Sequence, residues 1–171
     1  MIEQLKRVFK HRWTDDSART IPPAMVERLM HKVAASETRH SGEIRICIEA
    51  GLPNSYLLRD EPTSTLTRQR AVMQFGKLRV WDTEHNNGVL IYLLLAEHAI
   101  ELVADRGLNQ YVSAVEWHAT VTRLGASMRA GRIEEGLNQA LEDVSEQLIR
   151  HFPVQPGDAN VNELPDRPSL S

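Results

Sequence analysis

The stretch from Gly88 to Ala96, Gly-Val-Leu-Ile-Tyr-Leu-Leu-Leu-Ala, is the longest continuously apolar run of the chain. It is too short for a membrane helix, which needs about 18 or more apolar residues. Because it lacks the polar alternation of a half-exposed strand, it is typical of a β-strand that is covered on both faces. The rest of the sequence must therefore provide a layer of structure for each side of this strand.

Two shorter strands are predicted beside the apolar run. Glu43 to Glu49 alternates apolar and polar residues, which is the pattern of a half-buried strand. Ile100 to Ala104 alternates again after a tight turn at Ala96 to His98, which predicts a hairpin. Since a helical segment separates the first strand from the apolar run, we expect these two strands to be parallel, with a right-handed crossover.

The helices are indicated by apolar residues that recur with helical spacing. Such segments begin near residues 25, 65, 114 and 133, and Ser113 with Glu116 forms a capping box at the start of the third. The sequence thus predicts an α/β fold with a small mixed β-sheet. A parallel pair and an antiparallel hairpin strand form this sheet, and helices on both faces make a three-layer sandwich.

Residues 1–14 are predicted to form an amphipathic basic helix that precedes the domain. Its apolar stripe consists of Ile2, Leu5, Val8, Phe9 and Trp13. Two interpretations remain open. Basic amphipathic helices bind anionic membrane surfaces, and a stripe of this kind also docks a helix on its own domain or on a partner chain.

The sequence predicts one domain between the N-terminal helix and a C-terminal tail. Residues 15–152 are expected to form the single α/β domain, and residues 153–171 contain four prolines and few apolar residues. This composition predicts a flexible tail that contributes little to folding.

Composition excludes several classes of function. The net charge of -3 provides no field that attracts nucleic acid, and the three tryptophans do not interleave with a basic stripe. Cys47 is the only cysteine, so an internal disulfide is impossible. Without a membrane-spanning segment or the apolar stretch of a signal peptide, the protein is expected to be cytoplasmic.

Several stretches resemble the TPM domain family, whose members include an acid phosphatase of the thylakoid lumen. The stretches that carry the resemblance are Asp16 to Pro22, His40 to Arg45, Asn86 to Ile91, Asp105 to Leu108 and Gly131 to Leu137. The resemblance extends from about Asp16 to Phe152, and it implies the three-layer α/β fold. This chain carries Asp105-Arg106-Gly107 where many members have Gly-x-Gly, and phosphatase activity is demonstrated for few members.

Polar side chains are expected to meet at one edge of the sheet. Hairpin register places Asp105 opposite Gly88, and the first strand begins at the same edge. Oxygen ligands suit Ca²⁺ or Mg²⁺, and the candidate metal ligands are Asp16, Asp82, Asn86, Asn87 and Asp105, with Glu43 and Thr83 nearby. The alternative interpretation is an ordinary turn with local hydrogen bonds and no metal.

No catalytic residue is identified from the sequence. Arg106, beside Gly107, is a candidate phosphate ligand, and a surface ion pair is the alternative. Three functions remain open. The first is a non-catalytic interaction module that serves a protein partner, including partners of the cell envelope or the membrane. The others are a divalent-metal-dependent acid phosphatase acting on phosphomonoesters and a metal-binding structural or sensing domain.

Overall fold

The computed structural model describes residues 2–14, 17–155, 157 and 160–171. The helices are α1 (Ile2–Arg12), α2 (Ser17–Thr20), α3 (Pro23–Glu37), α4 (Asn54–Leu57), α5 (Thr63–Lys77), α6 (Arg106–Asn109), α7 (Ala114–Arg129) and α8 (Ile133–His151). The strands are β1 (Ile44–Glu49), β2 (Val89–Leu94), β3 (Ala99–Ala104) and β4 (Ser169–Leu170). A single 3₁₀ turn, Leu95–Glu97, joins β2 to β3.

The sheet has the order β3-β2-β1-β4. β1 runs parallel to β2, with Ile44 opposite Val89, and β3 returns antiparallel to β2, with Ala104 opposite Val89. Both pairings are those predicted from the sequence. The fourth strand was not predicted, and it pairs in parallel with β1 on the outer side.

Strand β2 is buried along its whole length, as its unbroken apolar sequence predicts. Val89, Ile91 and Leu93 belong to the apolar cluster that α3, α7 and α8 form on one side of the sheet. The alternate residues face a second cluster, which contains side chains of α4 and α5. The three-layer α/β architecture is thereby confirmed.

A buried carboxylate joins the sheet to α5 and to the end of the chain. Glu49 accepts two hydrogen bonds from the Arg70 guanidinium, one from the Tyr92 hydroxyl and one each from Gln74 and Ser171. Burial alone would raise the pKa of Glu49, but the bonds from Arg70 and Tyr92 hold that pKa below its ordinary value. Both oxygens of the Glu49 carboxylate therefore have hydrogen-bond donors, as a buried charge requires.

The C-terminal segment differs from the flexible tail that the sequence predicts. Residues 160–171 lie along the outer edge of β1, where the Ala50 amide donates to the Ser171 carbonyl and the Ser171 amide donates to the Ile48 carbonyl. Leu164 is buried in the cluster that faces α5. Composition did not reveal this docking, because it depends on two leucines, Leu164 and Leu170, and on backbone hydrogen bonds.

Two side chains of the domain hold the middle of this segment. The Glu43 carboxylate accepts hydrogen bonds from the backbone amides of Glu163 and Leu164, each at 3.1 Å. The Arg45 guanidinium donates to the carbonyls of Pro165 and Arg167. The segment thus covers the β1 edge and pairs with the backbone groups of Ile48 and Ala50.

Docking of the C-terminal segment gives a prediction about stability. Leu164→Ala should lower the free energy of unfolding by about 2 kcal/mol, because it removes a buried leucine side chain. Val161→Ala, at a 70% exposed position of the same segment, should change it by less than about 0.5 kcal/mol. Urea unfolding of both variants makes the comparison, and equally small effects would mean that the segment is not docked.

Candidate functional site

Two backbone hydrogen bonds close the sheet edge at which the polar residues were expected to meet. The Asp105 amide donates to the Gly88 carbonyl at 2.9 Å, and the Gly107 amide donates to the Asn86 carbonyl at 2.8 Å. Asp105 therefore lies opposite Gly88, as the hairpin register predicts. The segment before β2 and the segment after β3 form one continuous rim.

Glycine is required at both positions of this rim. A Cβ atom on Gly88 would lie 2.0 Å from the Val80 carbonyl oxygen, and one on Gly107 would lie 2.5 Å from the Asn86 carbonyl oxygen. No side chain fits at such distances, so the close backbone approach accounts for both glycines. Gly107 is the glycine that remains where many TPM members have Gly-x-Gly.

The side chains of the rim are partly neutralised by one another. Arg106 donates to the Asn86 Oδ1 atom from Nε at 3.0 Å and from Nη2 at 2.6 Å. The Asp105 Oδ1 atom accepts from the Arg106 amide at 2.7 Å and caps α6. The Asn86 oxygen thus already has a cationic partner, and Arg106 is engaged within the protein.

The other residues of the predicted metal set are placed differently. Asp82 pairs with Arg79, and the Thr83 hydroxyl accepts from the Asn87 amide at 3.1 Å. Asp16 lies outside the described residues. Glu43 lies beside the rim as expected, since its carbonyl accepts from the Val89 amide at 2.8 Å, but its carboxylate binds the C-terminal segment. The structure brings together Asn86, Asp105 and Arg106, and it gives Asp82 a separate partner.

Two oxygen atoms of the predicted set have no hydrogen-bond donor in the described part of the chain. They are Asn87 Oδ1 and Asp105 Oδ2, and both atoms are buried. Unpaired buried acceptors are the observation that best fits a hard cation such as Ca²⁺ or Mg²⁺. Among residues 2–14, 17–155, 157 and 160–171, however, no three His, Cys, Asp or Glu side chains are grouped to hold a metal ion.

A hydrogen-bonded serine and histidine lie in the core, and the sequence analysis did not find them. The Ser36 hydroxyl donates to His40 Nε2 at 2.8 Å, because His40 Nδ1 donates to the Gly42 carbonyl at 2.9 Å. His40 is fully buried, and burial lowers its pKa to about 4, so the ring is neutral. A substrate cannot reach this pair, which therefore links α3 to the start of β1.

A second group of carboxylates lies beneath the C-terminal segment. The Glu37 carboxylate accepts from the Ile44 amide at 2.8 Å, and Asp166 and Glu43 lie near it. Burial, followed by the negative charge of Glu43 and Asp166, raises the pKa of Glu37 to about 9. Glu37 is thus protonated at neutral pH. A cavity of about 240 Å³ is lined by these three side chains together with Asn160 and Asn162.

Helix α1 docks on the domain through its polar face. The Arg7 guanidinium is buried and donates to the carbonyls of Leu57, Arg59 and Glu61, four bonds in total between 2.5 and 3.2 Å. Because the Leu52 amide donates to His11 Nδ1 at 3.0 Å, the other ring nitrogen carries the proton and donates to Glu97 at 2.8 Å. Both side chains thus anchor α1, Arg7 to the end of α4 and the residues after it, and His11 to Leu52 and to the 3₁₀ turn after β2.

The apolar stripe of α1 consequently points away from the domain. Leu5, Phe9 and Trp13 are 71%, 62% and 75% exposed, and the rings of Phe9 and Trp13 stack with centroids 5.0 Å apart. Lys6 and Arg12 are exposed and flank this stripe. Docking on the chain's own domain agrees with one predicted alternative, but the docking face is the polar one. Among the stripe residues whose side chains the structure describes, Val8 alone packs inward.

A signal for this arrangement was present in the sequence. Arg7 and His11 lie four residues apart, so they share the helix face opposite Leu5, Phe9 and Trp13. Because apolar stripes usually face the core, such a polar pair does not stand out in a sequence as the docking face. Within the described residues, none of the helices is both long enough and apolar enough to cross a membrane.

The fold and the rim together define a three-layer α/β domain with a glycine-dependent hairpin rim. The model of the TPM domain family matches residues 14–147. The chain belongs to the TPM domain family.

Two solved structures resemble this chain. The BA42 protein of the psychrophilic bacterium Bizionia argentinensis is 25% identical, with a TM-score of 0.72, over 87% of this chain and 94% of that one. The N-terminal domain of a protein from P. gingivalis is 19% identical, with a TM-score of 0.53, over 89% of this chain and 93% of that one, and this likeness concerns the fold alone. No curated protein is significantly similar to the chain.

The raised pKa of Glu37 gives a prediction about pH. Between the ordinary pKa of 4.5 and about 9, the native state holds a proton that the unfolded chain releases. The free energy of unfolding therefore falls as pH rises through this range. The contribution of Glu37 to this fall is at most about 1.4 kcal/mol for each pH unit. Glu37→Gln keeps a hydrogen-bond acceptor and a donor but cannot ionise, so it should remove this contribution.

Urea unfolding at several pH values between 5 and 8 tests this expectation. Glu142→Gln is the control, because Glu142 is an exposed residue of α8. Its pH profile should match that of the unmodified protein. A Glu37→Gln profile parallel to the unmodified one would mean that Glu37 is ionised in the native state.

Proposed function

We propose that this TPM domain is a non-catalytic interaction module and that the outward face of α1 is its contact surface. We define this surface as Leu5, Phe9 and Trp13. The observation that carries the proposal is that three large apolar side chains of a docked helix are exposed in one line. Exposed apolar patches of soluble proteins commonly mark contact sites.

The way in which α1 is held supports this role. Arg7 and His11 use buried hydrogen bonds to fix the helix, and Lys10 adds an exposed ion pair with Glu97 at 2.7 Å. A helix fixed in this way presents Phe9 and Trp13 in one orientation before any partner arrives. Such preorganisation lowers the entropy lost on binding.

The titratable groups outside the cluster of Glu37, Glu43 and Asp166 give no comparable support for catalysis. Glu49 is fully paired, His40 is buried and neutral, and burial raises the pKa of Cys47 to about 12, so its thiolate is not formed. A cavity of about 310 Å³ beside α1 is lined mainly by apolar side chains with Lys10 and His98, and no carboxylate is among its described lining residues. Acid–base chemistry needs paired groups at an accessible place.

Site-specific photo-crosslinking in the cells that produce the chain tests the proposal. A benzophenone amino acid in place of Phe9 should form a crosslinked product with a partner, because Phe9 lies in the contact surface. The same amino acid in place of Trp81, which is 50% exposed and far along the sequence from α1, should form none. Equal products at both positions, or none at Phe9, would contradict the proposal.

A divalent-cation site at the hairpin rim is the second candidate function. The unpaired oxygens Asn87 Oδ1 and Asp105 Oδ2 favour it. Asp105 would supply the charge and Asn87 a neutral oxygen, while the Arg106 guanidinium opposes a cation in its vicinity. Such a cation would supply electrophilic activation of a phosphoryl oxygen, which is the chemistry that the acid phosphatase alternative needs.

Calcium and magnesium titrations monitored by amide resonances test the rim. Asp105→Asn should weaken binding about tenfold or more, because it removes a charged ligand while an asparagine still caps α6. Arg106→Gln should strengthen binding, because it removes a nearby positive charge. Asp82→Asn is the control and should change nothing, since Asp82 pairs with Arg79.

Two results would change the assignment. Absence of binding by the unmodified protein at about millimolar Ca²⁺ or Mg²⁺ would eliminate both the cation site and the metal-dependent phosphatase. Turnover of a generic phosphomonoester that is lost in Asp105→Asn would contradict the non-catalytic proposal and establish the phosphatase.

A further inference from the structure

We infer that the contact surface of α1 binds the interface of an anionic lipid bilayer, with the helix axis parallel to the membrane plane. The inference rests on the proposed function and names its partner. An amphipathic helix in this position inserts its apolar face about 5–10 Å into the boundary between headgroups and acyl chains.

The shape of the contact surface fits a bilayer. Leu5, Phe9 and Trp13 are spaced four residues apart, so they form a single ridge along one side of the helix. A lipid interface accommodates a narrow convex ridge, whereas a protein partner would need a groove to match it. Phenylalanine and tryptophan are also well suited to this depth, where an apolar ring and a polar N–H group are both satisfied.

The charges beside the ridge favour anionic lipid. Lys6 and Arg12 lie about 60° to either side of Phe9 on the helix, because successive residues turn by about 100°. Both side chains are exposed, and their long apolar stems let them reach headgroup phosphates while the ridge inserts. The chain as a whole carries a net charge of -3, so this positive strip is local to α1.

Because α1 is held by its polar face, it does not have to fold when it meets the membrane. A free amphipathic helix must order itself when it meets the membrane, but α1 is already folded against the domain by Arg7 and His11. The bilayer then contacts a preformed surface, and the domain remains in water. Binding therefore needs no release of α1 and no unfolding.

A second copy of the chain fits the surface less well. A stable dimer buries roughly 800 Å² for each partner, which is about 20–30 residues. The ridge contains three apolar residues with cations on both sides, and two such ridges would bring Lys6 and Arg12 of each copy close to one another. Like charges at that distance oppose association.

Flotation of the full chain with lipid vesicles tests the inference. Vesicles of phosphatidylcholine with about 30% phosphatidylglycerol should carry the protein upward, and vesicles of phosphatidylcholine alone should carry much less. Raising the salt concentration from about 0.1 M to about 1 M should reduce binding, because the Debye length falls from about 10 Å to about 3 Å. Equal binding to both vesicle types would overturn the role of charge.

Substitutions in the ridge separate it from other exposed apolar residues. Phe9→Ser and Trp13→Ser should each lower the partition coefficient about tenfold or more, since burial of an aromatic side chain changes an equilibrium constant by at least that factor. Trp81→Ser removes an exposed tryptophan elsewhere and should have no effect. All three variants should melt at nearly the same temperature as the unmodified protein, because the side chains are exposed.

A matched pair of charge variants tests the flanking cations. The double variant Lys6→Gln and Arg12→Gln should lose most of the preference for phosphatidylglycerol. The double variant Lys32→Gln and Lys77→Gln removes the same charge from exposed positions of α3 and α5 and should keep the preference. Equal losses in both would mean that net charge, and not the α1 surface, determines binding.

The lipid inference and the proposed function can fail separately. If anionic vesicles do not bind the protein while Phe9 crosslinks to another protein in cells, the bilayer is the wrong partner and the interaction module stands. If the position of Phe9 yields no crosslink and vesicles do not bind, both fail. A lipid crosslink at Phe9 together with vesicle binding that depends on Trp13 supports both.

Discussion

The burial of β2 on both faces is the constraint on which the rest of this structure depends. Every residue from Val89 to Leu94 is buried, so the chain must provide two apolar layers. The α3, α7 and α8 helices supply one layer, and α4 and α5 supply the other. The rim lies at one end of β2, where Asn86 precedes this strand and Asp105 follows β3, and the 3₁₀ turn that carries Glu97 lies at the other end. That turn provides the carboxylate to which His11 of α1 binds.

The position of α1 follows from the cost of burying a guanidinium group. Arg7 is stable in its buried site only because three carbonyls accept its protons. Those of Leu57 and Arg59 are at and just after the C-terminal end of α4, where helical carbonyls lack partners within the helix. The anchor fixes the rotation of α1, and Leu5, Phe9 and Trp13 are left outside. The hydrogen bonds of Arg7 on one face of α1 therefore leave the apolar side chains of the opposite face exposed.

Sequence patterns predicted the elements whose side chains alternate or recur regularly. The structure contains the parallel β1–β2 pair, the β2–β3 hairpin and the capping box of α7. The strands were predicted from the pattern of apolar residues along the chain, and the capping box from a four-residue motif. The C-terminal strand was not predicted, because its docking depends on Leu164 and on backbone amides that bind Glu43. These contacts leave no periodic signal in the sequence.

The predicted polar edge shows a second limit of sequence reasoning. Strand register placed Asp105 opposite Gly88 correctly, since register concerns the backbone. It could not predict that Arg106 would bind Asn86 or that Asp82 would pair with Arg79, because side chains beyond a strand end turn toward the nearest complementary group. The facing direction of α1 was missed for a related reason, as the usual rule places apolar stripes inward.

A NOESY spectrum of the chain in solution tests the central claim that α1 docks by its polar face. Docking by the polar face predicts NOEs from the Val8 methyl groups to the apolar cluster that contains Tyr56 and Leu57. It also predicts that the rings of Phe9 and Trp13 give NOEs to each other but none to the core side chains of the domain. NOEs from Phe9 or Trp13 to core residues, with none from Val8, would contradict it.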